Sequence, residues 1–380
     1  MIKMNVRNKF LVPTILLIVA GMGVSATISY VKSKNALSAS LLDNIQQRAG
    51  STAASLESWI RDRQLDLKSW SSEEVYVKAT QPSIIGKAAR ISANDKMARL
   101  KADYGYYEDI FLSGPDGAII ASNNQAAIGK VNVKDRAYFK SAMAGKAFVS
   151  DAAISRGSGN PVFFIAAPVA GIGKVKGVLV GVVSIGSFTS RFIDPIKIGR
   201  SGYAFVVNRD GLTIAHPVAA KIMKESIGKL DFAKQMLSQK NGLLRYTYKG
   251  VKKQLAFNSV AGQDWVIAVT VPAEEILAPV KSLRQINLLV AAVVIAVATA
   301  LIFFVTSTVV KPINRVVAGL QDAAEGEGDL TKRIEIKSND EVGELARWFN
   351  TFIGKIQRTI SDVSQNAQNL TTSSKELANI

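Results

Sequence analysis

The stretch INLLVAAVVIAVATALIFFVTSTVV, Ile286 to Val310, with Lys311-Pro312 directly behind it, decides how the whole chain is read. It holds no charged residue and exceeds the roughly 20 residues that a helix needs to cross a bilayer at about 1.5 Å per residue. It predicts a membrane-spanning helix, with residues 311–380 on one side and everything earlier on the other. A chain divided in this way is expected to pass a signal between two compartments.

Towards the amino terminus a second apolar run, Phe10 to Val31, follows Lys3, Arg7 and Lys9. Val24-Ser25-Ala26 imitates a signal-peptide cleavage site, but the run outlasts the apolar core of about 7–15 residues that such a peptide carries. A retained first span is therefore expected. Basic residues before it and at Lys311 and Arg315 put both termini in the cytoplasm by the positive-inside rule. The residues between the spans would then be exported across the inner (plasma) membrane.

The full chain has 380 residues, no cysteine, one histidine and a formal charge of +17. Absence of cysteine rules out disulfides, thiolate metal sites and a cysteine nucleophile. His216 alone, without nearby acids, makes a poor metal site, so no metal and no cofactor is expected. The lysines are scattered and no basic helix with interleaved aromatics occurs, which argues against nucleic acid despite the charge.

Between the spans, Leu37, Leu41, Ile45, Leu56, Ile60, Leu67 and Trp70 recur near helical spacing and predict a long helix over 36–79. Its apolar stripe needs either its own domain or a second chain. Next comes Tyr107-Glu108-Asp109-Ile110-Phe111-Leu112, then Gly114-Pro115-Asp116-Gly117, then Ala118-Ile119-Ile120-Ala121. Asp-Gly between apolar runs is a strong hairpin signal. The pattern recurs as Tyr203 to Val207, Asn208-Arg209-Asp210-Gly211 and Leu212 to Ala215, so two related sheet modules stand in tandem. A short helix is expected at Arg136 to Ala144. Strands follow at Pro161–Val169 and Val175–Ile185 in the first module and at Leu243–Tyr248, Gln254–Ser259 and Trp265–Val271 in the second. The last strand leads through Pro272 and a helix at Glu274–Leu283 into the second span.

This order resembles the double-Cache sensor domain of bacterial receptors. Asp135-Arg136-Ala137-Tyr138-Phe139, Phe148-Val149-Ser150-Asp151 and Ile214-Ala215-His216-Pro217 resemble segments that recur in it. Beyond the second span, Ile313, Val316, Leu320 and Ala323 keep helical spacing and Gly326-Glu327-Gly328 breaks it. A connector, Asp329 to Ser338, then presents Leu330, Ile334 and Ile336, and Asp340-Glu341-Val342-Gly343 opens a second helix. Two such helices cannot bury their stripes alone, so a parallel four-helix bundle with a second subunit is expected. The pattern resembles a HAMP signalling module, with Pro312, Asp340, Glu341 and Gly343 as its signalling residues.

The second helix has a seam at Val342, Leu345, Phe349, Phe352 and Ile356, resuming at Ile360, Val363, Ala367, Leu370, Ser374 and Leu377. Two consecutive steps of four between Phe352 and Ile360 read as a stutter. The seam, weak in leucine, resembles the opening of the cytoplasmic hairpin of methyl-accepting chemotaxis proteins. The chain stops at Ile380, before any tip that could contact a kinase, which reads as a truncated receptor or as action through a partner. Kinase and adaptor contacts would need segments outside these residues.

The expected fold is therefore α+β: two transmembrane helices, tandem PAS-like α/β modules on a long helix, and a dimeric HAMP four-helix bundle continuing into a coiled coil. The domains run as a cytoplasmic segment 1–9, span 10–31 and ligand-binding domain 32–284, whose distal module covers about 80–197 and proximal module about 198–275. Span 286–310, HAMP 311–360 and coiled coil 361–380 follow.

Ligand chemistry concentrates in the distal module. The Arg136 guanidinium offers a planar fork for a carboxylate, and Tyr138 and Phe139 beside it would exclude water. The bland alternative pairs Arg136 with Asp135 or Asp151 and puts the aromatics in the core. Amino-acid-binding members of the resembled family hold the carboxylate with an arginine followed by two aromatics, and the ammonium with a tyrosine and two aspartates. Ala153, Ser155 and Val183 fall at or near those last positions, so the resemblance implies a small organic carboxylate or another anion. Asp151 remains available as a negative group, and Tyr107, at the start of the first hairpin, is a further lining candidate. The expected function is a homodimeric transmembrane chemoreceptor without enzymatic activity. A membrane histidine kinase or cyclic-dinucleotide enzyme would share the sensor and HAMP, and a membrane-anchored extracytoplasmic enzyme is a third class.

Overall fold

The computed structural model describes residues 6–171, 173–325, 329–335 and 339–377. They fall into two compact units, Lys32–Lys281 and the two flanking parts together.

In the first unit the helix α1 (Val6–Ser71) presents Ile45, Ala49, Ala53, Leu56, Ile60 and Leu67, all buried against its own domain. This is the apolar stripe read from spacing, although Leu37 stays exposed. The helix does not run to residue 79. The Ser71 and Ser72 hydroxyls both donate to the Lys68 carbonyl at 2.8 and 3.1 Å, and such side-chain bonds compete with the helical ladder. A separate short helix α2 (Glu74–Ala79) follows, then α3 (Ile84–Tyr104), capped by the Ser83 hydroxyl.

Two antiparallel sheets come next. The first is built from β1 (Tyr107–Ser113), β2 (Ile119–Ser122), β3 (Phe148–Val149), β4 (Ala153–Ile154), β5 (Pro161–Gly171) and β6 (Lys174–Ser184), in the order β2-β1-β6-β5-β3 with β4 also on β5. Helix α4 (Ala137–Met143) interrupts the strands and α5 (Ile185–Phe192) ends the module. The second sheet has β7 (Lys197–Ile198), β8 (Gly202–Asn208), β9 (Thr213–Ala215), β10 (Asn241–Tyr248), β11 (Val251–Val260) and β12 (Trp265–Pro272). Its order is β10-β11-β12-β8-β7, with β9 on β8 and helix α6 (Asp231–Gln239) between β9 and β10.

Both hairpin turns depend on their glycines. Gly117 and Gly211 have φ of +80° and +74°, and a Cβ would come within 2.6 Å of the Lys134 nitrogen and 2.4 Å of the Gly228 Cα respectively. Only glycine adopts that backbone with neighbours so close.

Each sheet buries both faces. One face of both sheets packs on α1 and α5 in a single core that crosses the module boundary, where Phe163, Phe188 and Trp265 meet edge to face. Fully burying such a side chain contributes about 1.5–3 kcal/mol. The outer faces have cores of their own, one around Tyr138, Phe139 and Phe164 beneath α4, the other around Phe205, Met236 and Phe257 beneath α6.

In the other unit, helix α7 (Ala273–Val305) passes through a π-helical segment, Thr306–Val310, into α8 (Lys311–Glu325). Among the described residues, two helices are long and apolar enough to cross a membrane, within Val12–Ser71 and Gln285–Asp322. Pro312 falls in the first turn of α8, directly behind the apolar run. Its missing N–H and its ring would disrupt the turn before it, and the widened π turn with the Thr306 and Thr308 hydroxyls on the Ile302 and Phe304 carbonyls carries the helix through. Gly326-Glu327-Gly328, Ile336 and Ile380 lie outside the described residues. Helix α9 (Glu341–Leu377) packs Phe349 and Ile353 on Val316, with Leu330 and Ile334 of the connector alongside.

Candidate functional site

A cleft of about 380 Å³, part of it open to solvent, lies on the outer face of the first sheet. Its floor is Asp109 and Phe111 of β1, Phe164 of β5 and Val182 of β6. Arg136 and Tyr138 enter from the start of α4, and Ser155, Arg156 and Gly157 close it above.

Arg136 occupies the N-cap position of α4, with extended backbone and no capping role for its side chain. Its guanidinium carbon lies 6.0 Å from the Phe164 ring centre, and Tyr138 stacks on the same ring at 4.5 Å. Among the described residues no carboxylate lies within ion-pair distance of Arg136. Asp135 is taken instead by Arg156, whose two terminal nitrogens donate to its two oxygens at 2.8 and 2.6 Å. That fork holds the Asp135 carboxyl down at about 2. The roof loop is stapled to β1 by Asn160, which donates to Glu108 at 3.0 Å, and by the Ser158 hydroxyl on the same carboxylate.

The structure thus brings Arg136, Tyr138 and Ser155 together and separates the other candidates. Phe139 is buried beneath α4, in the packing rather than the cleft wall. Asp151 does not face the cleft. Its oxygens accept from Asn208 Nδ2 at 2.7 Å and Trp265 Nε1 at 2.9 Å, so a loop of the distal module is tied to two residues of the proximal one. Nor does Asp151 pair with Arg136.

Tyr107 lies on the opposite face of the sheet, among Trp70, Tyr104 and Tyr106. Alternation would put residues 107, 109 and 111 on one face. A bulge between Tyr107 and Asp109 sets Tyr107 opposite Val183 and Asp109 opposite Val182, turning the tyrosine to the α1 side.

Sequence reading missed Asp109. Burial pushes its carboxyl up to about 6, against the lowering effect of the Ser122 hydroxyl that donates to it at 2.9 Å. An acid placed among apolar alternation, Tyr-Glu-Asp-Ile-Phe, was the available signal. The cleft therefore holds an unpaired guanidinium and a half-buried carboxyl capable of either protonation state near neutrality.

This arrangement of tandem sheets on one long helix has counterparts among known proteins. Residues 31–280 match the Cache domain model. The chain belongs to the Cache domain family. Residues 304–358 of this Cache protein also match the HAMP domain model. Over 366 residues, 95% of the chain, it is 25% identical to the methyl-accepting chemotaxis protein PscA of Pseudomonas syringae pv. tomato. It is also 25% identical over 384 residues, 98% of the chain, to McpA of Bacillus subtilis. The chain spans about half the length of these curated relatives, 56% and 54%. Among solved structures, the ligand-binding domain of Mlp24 with asparagine aligns with a TM-score of 0.50 at 18% identity, over 65% of this chain and 98% of that one. That likeness is one of fold.

In the HAMP region, Asp340 caps α9: its Oδ1 accepts from the Val342 and Gly343 amides at 3.0 and 3.1 Å. An acidic cap and the exposed Glu341 in the first turn suit the helix dipole. Gly343 is buried. Asn350 clamps the connector, accepting from the Ile334 amide and donating to its carbonyl, both at 2.9 Å. Of the seam read from sequence, Phe349 packs within the chain while Leu345 and Phe352 remain exposed.

Proposed function

We propose that this chain is the sensing and relay portion of a transmembrane chemoreceptor that binds a small carboxylate in the distal cleft and passes the signal through its HAMP region. The observation that carries the ligand reading is Arg136, unpaired at the mouth of a cleft walled by Tyr138 and Phe164. A guanidinium so placed binds a carboxylate bidentately, and the aromatic wall strengthens the pair by excluding water. Relatives along most of the chain are methyl-accepting chemotaxis proteins, which favours this output over a kinase or cyclase and a receptor over an enzyme.

The sensor would lie outside the inner membrane, with both termini in the cytoplasm. Leu345, Phe352, Ile360, Val363 and Leu370 on α9 are exposed in the single chain, and a second copy covering them supports a homodimeric bundle. Pro312, Asp340, Glu341 and Gly343 would then act in relay rather than in binding. Kinase and adaptor partners would be engaged through further cytoplasmic segments.

Asp109 favours a second reading of the ligand. Ionised, it would accept an ammonium while Arg136 holds the carboxylate, as a free amino acid requires. Protonated, it donates a hydrogen bond to an anion. A thermal-shift and calorimetric screen of the full chain against small carboxylates and amino acids separates the two. A carboxylate ligand should lose affinity between pH 5 and 7 as Asp109 ionises, and an amino acid should gain it. Binding of either class that survives Arg136→Ala undiminished would sink the proposal.

A further inference from the structure

A second cleft of about 320 Å³, part of it open to solvent, lies on the outer face of the proximal sheet. Its position repeats that of the first. Asp109, Phe111, Ile119, Val133 and Tyr138 there correspond to Tyr203, Phe205, Thr213, Ile227 and Phe232 here, every pair 94 residues apart. The tandem repeat therefore reproduces a cavity as well as a sheet.

Its chemistry is different. Leu230 stands where the distal module has Arg136, and Tyr203 where it has Asp109. The walls are aromatic, with Phe232 against Tyr246 at 4.2 Å and Tyr203 against His216 at 4.9 Å. His216 Nδ1 accepts from the Val218 amide at 2.8 Å, and burial pushes the imidazole down to about 4. The ring is neutral at pH 7 and carries its proton on Nε2, as a donor.

Three ammonium groups stand by the wall rings: Lys253 5.1 Å from the centre of Tyr203, and Lys249 and Lys221 5.4 and 5.9 Å from that of Tyr248. One carboxylate answers them. Glu225 pairs with Lys221 at 3.1 Å and accepts from the Tyr248 hydroxyl at 2.6 Å, so both its oxygens are engaged. A cationic guest would compete with lysines already at the ring faces and find no available acid. The one lysine in the lining, Lys221, is paired with Glu225, and the charges left for an anion are Lys249 and Lys253, which stand outside the lining against its Tyr248 and Tyr203 rings.

We propose that this cleft is a second binding site, for a small planar carboxylate whose flat body packs among Tyr203, Phe232 and Tyr248 and whose charged end projects out of the cleft to Lys249 and Lys253 beside those rings. It does not depend on the distal-site reading. An occupant would act close to the exit of the domain. Tyr203 pairs with Thr270 of β12, the Tyr246 hydroxyl bonds the Thr270 hydroxyl at 2.8 Å, and β12 leads directly into α7.

The test is titration of the detergent-solubilised full chain with benzoate, by calorimetry and thermal shift. It compares the wild type, a Lys249→Gln/Lys253→Gln double variant and Arg136→Ala. Neither lysine makes the Lys221–Glu225 pair, so losing their ring contacts should lower the ligand-free melting temperature of the double variant by no more than a few degrees and leave it folded. Benzoate should bind the wild type, bind Arg136→Ala within twofold as well, and bind the lysine variant about tenfold or more weakly. No binding by the folded wild type at millimolar benzoate would overturn the proposal. So would loss in Arg136→Ala with the lysine variant unaffected, which would put benzoate in the distal cleft instead.

Discussion

Replacing Asp151 by alanine tests whether this residue joins the two sensor modules or touches ligand. The substitution removes the acceptor of the Trp265 indole N–H and of Asn208 Nδ2. Trp265 is 1% exposed and Asn208 4%. A buried donor left without a partner costs about 1–3 kcal/mol. Because Asp151 itself is exposed, water can reach part of the vacated space, and the expected total is about 2–3 kcal/mol.

For a domain of this size each kcal/mol lowers the melting temperature by about 2–4 °C, giving a fall of about 4–12 °C. Asp151→Asn keeps an uncharged oxygen for the indole and should lose about half as much. Differential scanning calorimetry of the solubilised chain reads both values. Affinity for the distal-cleft carboxylate, measured in parallel, should change less than threefold. An unchanged melting temperature with abolished binding would refute the structural argument and return Asp151 to the ligand site.

Three further outcomes follow from the geometry. The Asp109 carboxyl, held up at about 6, is protonated in both folded and unfolded states below about pH 4. Between pH 4 and 6 the unfolded chain ionises first, so the folded state loses up to about 3 kcal/mol as pH rises. Asp109→Asn should accordingly melt with the wild type at pH 4 and several degrees higher at pH 7, and an equal difference at both would disprove the burial account.

Glu275, at the start of α7, accepts from the Arg200 and Ser201 amides at 2.7 and 3.2 Å and from the Ser201 hydroxyl. Glu275→Ala should leave ligand affinity within about threefold while reducing the ligand-induced change in cysteine accessibility along an engineered α8. Equal change in both proteins would show that this clamp transmits nothing. In the HAMP region a Cβ on Gly319 would lie 2.7 Å from Phe349 Cζ. Gly319→Ala should therefore displace the ring and lower the stability of that unit by about 1–3 kcal/mol, read as faster protease cleavage of α9.

The sequence by itself determined the two long apolar helices and the main strands with their order, but not α3, α5 or α6. Apolar length announced both long helices, the stripe from Ile45 to Leu67 told which face of α1 is buried, and the two Asp-Gly turns exposed the tandem repeat. These signals are local: period, length and backbone demand act over a few residues, and neighbours in sequence carry them. The candidate cleft was legible only where one segment supplied it, as Arg136 and Tyr138 do at the start of α4.

Tertiary structure decided the rest. A single bulge at Tyr107–Asp109 exchanged which side chain faces the cleft, because one extra residue reverses a period of two. Asp151 found its partners 57 and 114 residues away, and Arg156 took the acid next to Arg136. No local pattern reports such pairings, since they are fixed by which loops the two packed sheets bring together.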